Sequence, residues 1–306
     1  MKKYLLLLVL SLLFVPAMLW GQNGSAGNLS SRLDTLIKYK LPAGSNVGIS
    51  IYDLTDGKSL YTYQSDKLSR PASTMKLLTT ITALARPEAD EPFRTEVWYQ
   101  GVIERDTLKG DLYVVGGYDP EFDDEALDSL VNTVGRFPFS VIAGNVYGDV
   151  SMKDSIYWGS GWAWDDTPAS YQPYLSPLML NKGLVTITAS PSVKGDTASV
   201  ECVPVSSYYT VTNETKSRTP SAGRFGVSRD WLQNGNNVVI KGNVESKRTG
   251  AVNIYSSQDF FMHTFLERLQ AKGIQCLAGY AFNELTKDSL SVQMALFETP
   301  VQDVVN

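Results

Sequence analysis

The chain of 306 residues has little histidine, little cysteine and no excess of basic residues. Its one histidine, His263, leaves a single candidate for any Ser-His-Asp triad and disfavours zinc sites, for which histidine is a preferred ligand. The chain holds 27 lysines and arginines against 32 aspartates and glutamates, a net charge of −5. An acidic chain without a basic cluster is a poor nucleic-acid binder. We therefore expect no nucleic-acid partner and no metal.

Long apolar runs are absent except at the N-terminus. Two lysines precede an apolar run from Tyr4 to Trp20, and small residues follow it. This pattern predicts a secretory signal peptide over residues 1–26 and an exported, periplasmic protein. The alternative is an uncleaved anchor, because the run is just long enough to span a bilayer. Pro16 and the small residues favour cleavage, which leaves 25 basic and 32 acidic residues, a net charge of −7 and no stable membrane span.

The two cysteines, Cys202 and Cys276, are compatible with two states. An exported chain can pair them in a disulfide. Two separate buried thiols agree with the sequence equally well, since spacing alone does not show that they approach. No cysteine follows the N-terminal apolar run, so a lipid anchor is not expected.

The first part of the chain predicts a helix and a hairpin. Leu33, Leu36 and Ile37 give the segment Ser30–Lys40 one apolar face behind a serine cap. Residues 47–63 then alternate apolar and polar side chains on both sides of an Asp-Gly turn, which is typical of a β-hairpin.

After Pro87 the sequence changes to short strands and turns, and this pattern continues to about Ile254. An amphipathic helix is then predicted over Gln258–Lys272, ended by Gly273. We therefore expect one mixed domain of helices and strands that is interrupted by a long strand-rich insertion.

The segment RPASTMKLLTTITALA, residues 70–85, places a serine and a lysine three residues apart. On a helix this spacing puts Ser73 and Lys76 on one face. Pro71 is typical of a helix start, so Ser73 is expected in the first turn, where unpaired N–H groups favour negative charge. A serine hydroxyl needs a base to remove its proton, and Lys76 is the candidate.

The residues around Lys76 predict that this helix is buried. Its apolar neighbours are Leu77, Leu78, Ile81 and Leu84. Burial lowers the pKa of a lysine, so an amine in such surroundings can be uncharged and accept a proton. The alternative is a capping serine beside a solvated lysine, which is the commoner origin of a Ser-x-x-Lys string.

The segment at residues 70–85, together with the hairpin before it, closely resembles the active-site segment of penicillin-recognising serine enzymes. Within them it is similar to the D-alanyl-D-alanine carboxypeptidase/endopeptidase family of low-molecular-mass penicillin-binding proteins. Three further strings resemble that family: DLYVVGGYDPEF at 111–122, GWAWDD at 161–166 and SPLMLN at 176–181. The resemblance covers essentially the whole chain after the signal peptide.

The resemblance implies an α+β fold, a penicillin-binding-protein/β-lactamase-like transpeptidase domain with a large strand-rich insertion after the catalytic helix. It implies that Ser73 is the nucleophile, acylated by the penultimate D-Ala of a peptidoglycan stem peptide, that Lys76 is the base, and that the Ser73 N–H stabilises the oxyanion. β-Lactams are expected to acylate the same serine. No cofactor is implied.

The resemblance also implies a division into domains. A transpeptidase-like domain is expected from 27–87 plus 255–306. An inserted domain II is expected from 88–165 plus 235–254, and an inserted domain III from 166–234.

Two motifs of the family have no counterpart in the 306 residues. No Ser-x-Asn triplet occurs, and the nearest string to Lys-Thr-Gly is Arg248-Thr249-Gly250, which lies inside the insertion and is interpreted as a chance match. Both motifs are expected beyond Asn306. The helix that Thr299-Pro300 predicts is left with only six residues, so the sequence is interpreted as a fragment.

Other polar and aromatic residues leave two interpretations each. Asp165 and Asp166 bind the free amino group of a stem peptide or form a solvated acidic loop. Trp158, Trp162 and Trp164 form a sugar-stacking surface or pack between sub-domains.

Two other functions are weighed against the peptidase. One is a non-catalytic envelope protein that binds peptidoglycan or a partner, favoured by the two absent motifs. The other is a β-lactamase, disfavoured because no Glu-x-x-Leu-Asn string supplies a deacylating base. A triad through His263 is disfavoured too, because this residue shares the more polar side of its predicted helix with Glu267 and Gln270.

Overall fold

A computed structural model describes residues 23–86 and 90–305, with side chains from Asn28 onward. Most of the predicted signal peptide, residues 1–22, lies outside the described residues. None of the helices in the described ranges is both long and apolar enough to cross a bilayer. The chain divides into two compact units, an N-terminal unit that ends at Leu78 and a C-terminal unit that begins at Thr79.

The N-terminal unit contains two helices and a hairpin. Its elements are α1 (Asn23–Tyr39), β1 (Ile49–Asp53), β2 (Lys58–Tyr63) and the start of α2 (Met75–Ala85), which continues past Leu78. β1 and β2 pair antiparallel, so the predicted hairpin is confirmed. Tyr61 on β2 donates a hydrogen bond of 2.6 Å to Asp34 on α1.

Helix α1 begins seven residues before the predicted serine cap. Ser31 donates its hydroxyl to the Asn28 carbonyl, three residues back, so it bonds within the helix and does not cap it. A serine inside a helix can bond backwards in this way, which makes a cap signal ambiguous in sequence.

The C-terminal unit carries thirteen of the described strands. Its elements are β3 (Phe93–Glu104), β4 (Thr107–Val115), α3 (Asp124–Val134), β5 (Val141–Ile142), β6 (Val146–Asp149), β7 (Leu184–Ser190), β8 (Ser199–Val203), β9 (Thr210–Ser217), β10 (Gly226–Arg229), β11 (Asn237–Val244), β12 (Arg248–Asn253), α4 (Ser257–Ala271), β13 (Gln275–Cys276), β14 (Tyr280–Phe282), β15 (Ser291–Thr299) and α5 (Val301–Val305). The predicted helix over Gln258–Lys272 is confirmed as α4, and Gly273 follows it with a φ of +84°.

These strands form three sheets. The largest runs β13-β5-β4-β3-β15, with β6 paired to β4 and β14 paired to β6. The other two are β12-β7-β8 and β10-β11-β9, in which β9 and β11 run parallel. Helix α4 supplies much of the core, since three of its phenylalanines are fully buried and belong to one cluster with buried aliphatic residues of the sheets and α3.

The largest sheet contains strands from segments that the predicted division assigns to different domains. The sequence grouped 255–306 with 27–87, but residues 275–299 supply β13, β14 and β15 to the sheet built on 93–149. Such pairing between distant segments is not visible in the residue pattern along the chain. The domain boundaries stay a prediction.

The glycine turn after β4 joins two parts of this unit closely. A side chain at Gly117 would place its Cβ 1.8 Å from the Arg94 carbonyl oxygen, so only glycine fits. The buried carboxylate of Asp119, two residues on, accepts hydrogen bonds from the Glu121 N–H and from the Thr299 hydroxyl at the end of β15.

Candidate active site

Ser73 lies in a short 3-10 turn, Ala72–Thr74, directly before α2. The Thr74 N–H donates 3.0 Å to the Pro71 carbonyl, and its hydroxyl donates to the same oxygen. Ala72 has a φ of +45°, a left-handed conformation that residues other than glycine adopt at a cost of order 1 kcal/mol. The strained residue is therefore the one that immediately precedes the predicted nucleophile.

The structure brings the predicted nucleophile and base together. Lys76 Nζ lies 3.4 Å from Ser73 Oγ. This is longer than the 2.7–3.2 Å of a usual hydrogen bond, but catalytic hydrogen bonds are often long before substrate binds. The turn and the first residues of α2 thus set the contact by local geometry, as the spacing of three predicts. The roles of the two residues stay a prediction.

The predicted burial of this helix is wrong for the described residues. No residue of α2 is buried, and Leu77 and Ile81 are 64% and 61% exposed. Ser73 and Lys76 are exposed as well. An apolar pattern leads to burial only where a second surface packs on it, and none in the described ranges brings these side chains below exposure. The desolvation of the amine that the sequence predicts is therefore not present in this structure.

The Ser73 N–H, the predicted oxyanion donor, makes no hydrogen bond to any other described residue. Arg248-Thr249-Gly250, the nearest string to the missing Lys-Thr-Gly motif, lies on β12 in the C-terminal unit and pairs with β7. Its interpretation as a chance match stays a prediction.

The two predicted substrate-binding acids lie in a 3-10 turn, Trp164–Asp166, of the C-terminal unit. Asp165 is exposed. Asp166 accepts a 2.9 Å hydrogen bond from Tyr171, which raises the pKa of that phenol. Asp166, Tyr171 and Trp162 line a surface pocket of about 240 Å³. One carboxylate is thus held beside an aromatic pocket and the other faces solvent.

The three tryptophans of this region differ in their surroundings. Trp158 packs at 4.8 Å from the Tyr174 ring and donates its indole N–H to the Pro173 carbonyl at 2.8 Å. Trp164 is 65% exposed and Trp162 is 42% exposed. Packing therefore accounts for Trp158, whereas the rings of Trp162 and Trp164 keep exposed surface that a ligand can contact.

Sequence reasoning missed a cluster around His263. His263 Nε2 lies 2.9 Å from Ser207 Oγ and 3.4 Å from Glu267 Oε1. A Ser-His-acid triad requires the serine and the acid on opposite ring nitrogens, so two contacts to one nitrogen exclude that geometry here. The cluster joins residues 56 positions apart, and no sequence signal marks Ser207.

The acid of that cluster holds a loop to α4. Burial alone would raise the pKa of Glu267, but hydrogen bonds from Ser207 and Ser206 outweigh it, and the net pKa is lowered. Ser206 donates at 2.7 Å, and the Ser207 N–H at 2.9 Å. The cluster is therefore an anchor for the chain before β9.

The cysteines are two separate free thiols, so the disulfide alternative is not realised in this structure. Burial raises the pKa of Cys202 and raises that of Cys276 to about 11. Across the described ranges, histidines, cysteines and acids form no group of three or more able to hold a metal ion.

Comparison with known proteins identifies the family. The sequence model of the D-Ala-D-Ala carboxypeptidase 3 (S13) family matches residues 29–292. A D-alanyl-D-alanine carboxypeptidase of Actinomadura sp. (strain R39) is 27% identical over 204 residues, which is 65% of this chain and 38% of the relative. D-alanyl-D-alanine carboxypeptidase DacB of Haemophilus influenzae is 30% identical over 127 residues, 42% of this chain and 26% of the relative. The chain therefore spans well under half the length of these curated relatives.

Solved structures show the same fold. Penicillin-binding protein 4 (dacB) of Haemophilus influenzae superposes with a TM-score of 0.67 at 19% identity, over 87% of this chain and 59% of that one. The same protein in complex with a novel β-lactam gives a TM-score of 0.63 at 17% identity, over 87% and 57%. The predicted α+β, penicillin-binding-protein-like fold with a strand-rich region is confirmed, as is the predicted family.

Proposed function

The chain belongs to the D-Ala-D-Ala carboxypeptidase 3 (S13) family, and from this premise we propose that it carries the nucleophile and the base of an exported serine-type D-Ala-D-Ala carboxypeptidase/endopeptidase. Its substrates are peptidoglycan stem peptides, and it acts in the periplasm. The observation that supports this most directly is the 3.4 Å contact between Lys76 Nζ and Ser73 Oγ.

The proposed reaction runs through an acyl-enzyme. Lys76 takes the proton of the Ser73 hydroxyl as Oγ attacks the carbonyl of the penultimate D-Ala. The Ser73 N–H, which has no partner among the described residues, stabilises the oxyanion. The C–N bond then breaks, the terminal D-Ala leaves with a proton, and water hydrolyses the Ser73 ester.

The same serine is the proposed site of β-lactam acylation. The β-lactam carbonyl takes the place of the peptide carbonyl, and ring opening leaves a covalent ester on Ser73 Oγ. The β-lactam complex of the Haemophilus influenzae protein, which shares the fold, supports this part of the proposal.

The proposal requires that Lys76 lose water in the active protein, because a solvated ammonium holds its proton. Lys76 is exposed in this structure. Covering of the N-terminal end of α2 by the bound peptide is the step that makes the amine a base.

We further propose that Asp165 and Asp166 bind the free amino group of the stem peptide. Asp166 is held by Tyr171 at the edge of a pocket, and Asp165 is free to reach a cation in solvent. Replacement of both acids by asparagine keeps their size and removes their charge. A stem peptide with an acetylated amino group should then be cleaved equally well by variant and wild type, while the unmodified peptide is cleaved less well by the variant.

The direct test is covalent labelling of the product of the whole gene by a fluorescent penicillin. We expect one adduct, located by mass spectrometry on the peptide that contains Ser73. Ser73→Ala should abolish labelling, and Lys76→Arg should reduce it strongly, because the guanidinium stays charged and cannot act as a base. Wild-type protein that is not labelled at Ser73 would falsify the proposal.

Two matched controls separate chemistry from damage to the fold. Ser69→Ala and Lys67→Arg make the same changes at exposed positions in the loop between β2 and the Ala72–Thr74 turn. Both should be labelled as the wild type is. Loss of labelling in either control would show that the loop, and not the Ser73 hydroxyl or the Lys76 amine, is being tested.

One observation favours a second function, a non-catalytic binding protein. The exposed amine and the absent Ser-x-Asn and Lys-Thr-Gly motifs leave the 306 residues without a complete set of catalytic groups. This function predicts muropeptide binding that is unchanged by Ser73→Ala, and no adduct with penicillin in the product of the whole gene.

A further inference from the structure

An aromatic pocket lies in the C-terminal unit, apart from Asp166 and Tyr171. Its volume is about 150 Å³. Indole rings and a leucine form its walls, and a threonine and an asparagine add polar atoms; the residues that matter here are Trp158, Trp164, Trp231, Leu232, Thr167 and Asn234. We call it the indole pocket. Because no charged side chain lines it, its chemistry suits a neutral ligand with one apolar face.

The walls of the indole pocket present open aromatic faces. The rings of Trp164 and Trp231 lie 5.1 Å apart at an angle of 40°, so they form an open wedge. Trp164 is 65% exposed and Leu232 is 66% exposed. The face of an indole is electronegative, so it attracts C–H groups that carry partial positive charge, as on the apolar face of a pyranose.

Two buried residues, Arg229 and Tyr174, orient the amide of Asn234 on the polar side of the indole pocket. Arg229 is 3% exposed and donates from Nη2 to the Tyr174 hydroxyl at 3.2 Å. A guanidinium cannot accept a hydrogen bond, so the Tyr174 proton points elsewhere, to Asn234 Oδ1 at 3.4 Å. This fixes which atom of the amide faces Tyr174 and leaves Asn234 Nδ2 to donate. No hydrogen bond of Nδ2 occurs within the described part of the chain.

Two further features hold or complete this polar side. Asn234 has a left-handed φ of +55° and closes a 3-10 turn by donating its N–H to the Trp231 carbonyl at 3.0 Å. The buried hydroxyl of Thr167 has no partner among the described residues. Buried hydroxyls are nearly always satisfied, so an orphan at the edge of a pocket indicates an interaction that a ligand or an ordered water supplies.

We propose that the indole pocket binds one N-acetylated pyranose of a glycan strand. The sugar ring lies on the indole faces, the acetamido methyl packs on Leu232, and Asn234 Nδ2 donates to the acetamido oxygen. The volume is well below the roughly 300–1,000 Å³ of pockets for drug-sized ligands, so it admits a single ring. That the ring belongs to peptidoglycan rests on the proposed function; the site itself does not.

The test uses a neutral oligosaccharide without peptide. The whole chain is titrated with tetra-N-acetyl-chitotetraose, with cellotetraose as the analogue that lacks acetamido groups, and binding is followed by calorimetry. We expect saturable binding of the first and at least tenfold weaker binding of the second. Absence of saturable binding, or equal affinity for both sugars, would overturn the proposal.

Two variants assign the binding to this pocket. Trp164→Ala removes an exposed ring and Asn234→Asp removes the amide donor while tolerating the left-handed backbone. Each should weaken chitotetraose binding about tenfold or more, with an unchanged circular dichroism spectrum. Tyr52→Ala, which removes a 57% exposed ring in the N-terminal unit, is the matched control and should bind as the wild type does. Wild-type affinity in both pocket variants would overturn the assignment.

A last variant separates this proposal from the proposed peptidase. Ser73→Ala should bind chitotetraose with wild-type affinity while losing penicillin labelling. Glycan binding without labelling in the wild type would overturn the peptidase alone, and labelling without glycan binding would overturn the indole pocket alone.

Discussion

The N-terminal unit and the C-terminal unit differ in how much side chain they bury. From Asn28 to Leu78 no described residue is buried, whereas the C-terminal unit has a large core in which four phenylalanines are fully enclosed. Burial of apolar surface is the main favourable term in folding, at about 25 cal/mol per Å². The unit that carries Ser73 and Lys76 therefore gains less stability from buried apolar side chains than the C-terminal unit does.

The difference separates two requirements of the proposed chemistry. The contact between Ser73 and Lys76 depends on a turn and a helix start, which local backbone geometry supplies without a core. Desolvation of the amine depends on packing from other parts of the protein, and none of the described residues of α2 is buried. The placement of Ser73 beside Lys76 is therefore set by neighbouring residues of the chain, whereas the basicity of the Lys76 amine depends on residues or ligands from elsewhere.

The largest expected effect is the loss of a core ring in the C-terminal unit. Phe261 is 1% exposed and lies 5.3 Å from the ring of Phe122. Phe261→Ala should lower the free energy of unfolding by about 3–5 kcal/mol, because it removes buried area and leaves a cavity. Urea unfolding followed by near-ultraviolet circular dichroism measures the change. A loss below about 1 kcal/mol would contradict the description of this core.

The next effect comes from the buried guanidinium. Arg229 donates to the Asn253 and Gly235 carbonyls at 3.0 and 2.8 Å, as well as to Tyr174. Arg229→Met keeps much of the volume and leaves these acceptors unsatisfied, at roughly 1–3 kcal/mol. Urea unfolding measures it, and Lys241→Met on the exposed face of β11 is the control that should stay near wild type.

Sequence alone predicted the elements whose signals are local. The hairpin follows from alternation around an Asp-Gly turn, and α4 follows from a serine at its start and Gly273 after its end. The pairing of β15 with β3 joins residues about 200 positions apart, and nothing in either strand specifies its partner. That is why the sequence did not predict that the segment 275–299 pairs with the strands of residues 93–149.

The candidate site shows the same limit. A spacing of three predicts the contact of Ser73 with Lys76. The apolar residues of α2 indicate a face that could pack against another surface, but they do not show which surface covers it, and none of the described residues of α2 is buried. The indole pocket combines residues from two segments, around 158–167 and 231–234, and the Arg229 contact that orients it has no sequence signature.

A pH-dependent effect tests the anchor at Glu267. Its folded pKa lies below the usual 4.5, so the ionised form is favoured by folding. The stability this gives is present above pH 4.5 and is lost as the pH falls through the folded pKa. Glu267→Gln should therefore lower Tm at pH 7 and should differ less from wild type at pH 3. A Tm difference that is the same at both pH values would contradict this account.

The smallest expected effect returns to the N-terminal unit. Leu77 is 64% exposed, and leucine and alanine have similar helix propensities, so Leu77→Ala should change the free energy of unfolding by no more than about 0.5 kcal/mol. Urea unfolding of these 306 residues, with Phe261→Ala as the contrasting variant, measures it. A loss of about 2 kcal/mol or more, as for a buried leucine, would contradict the exposure of this side chain.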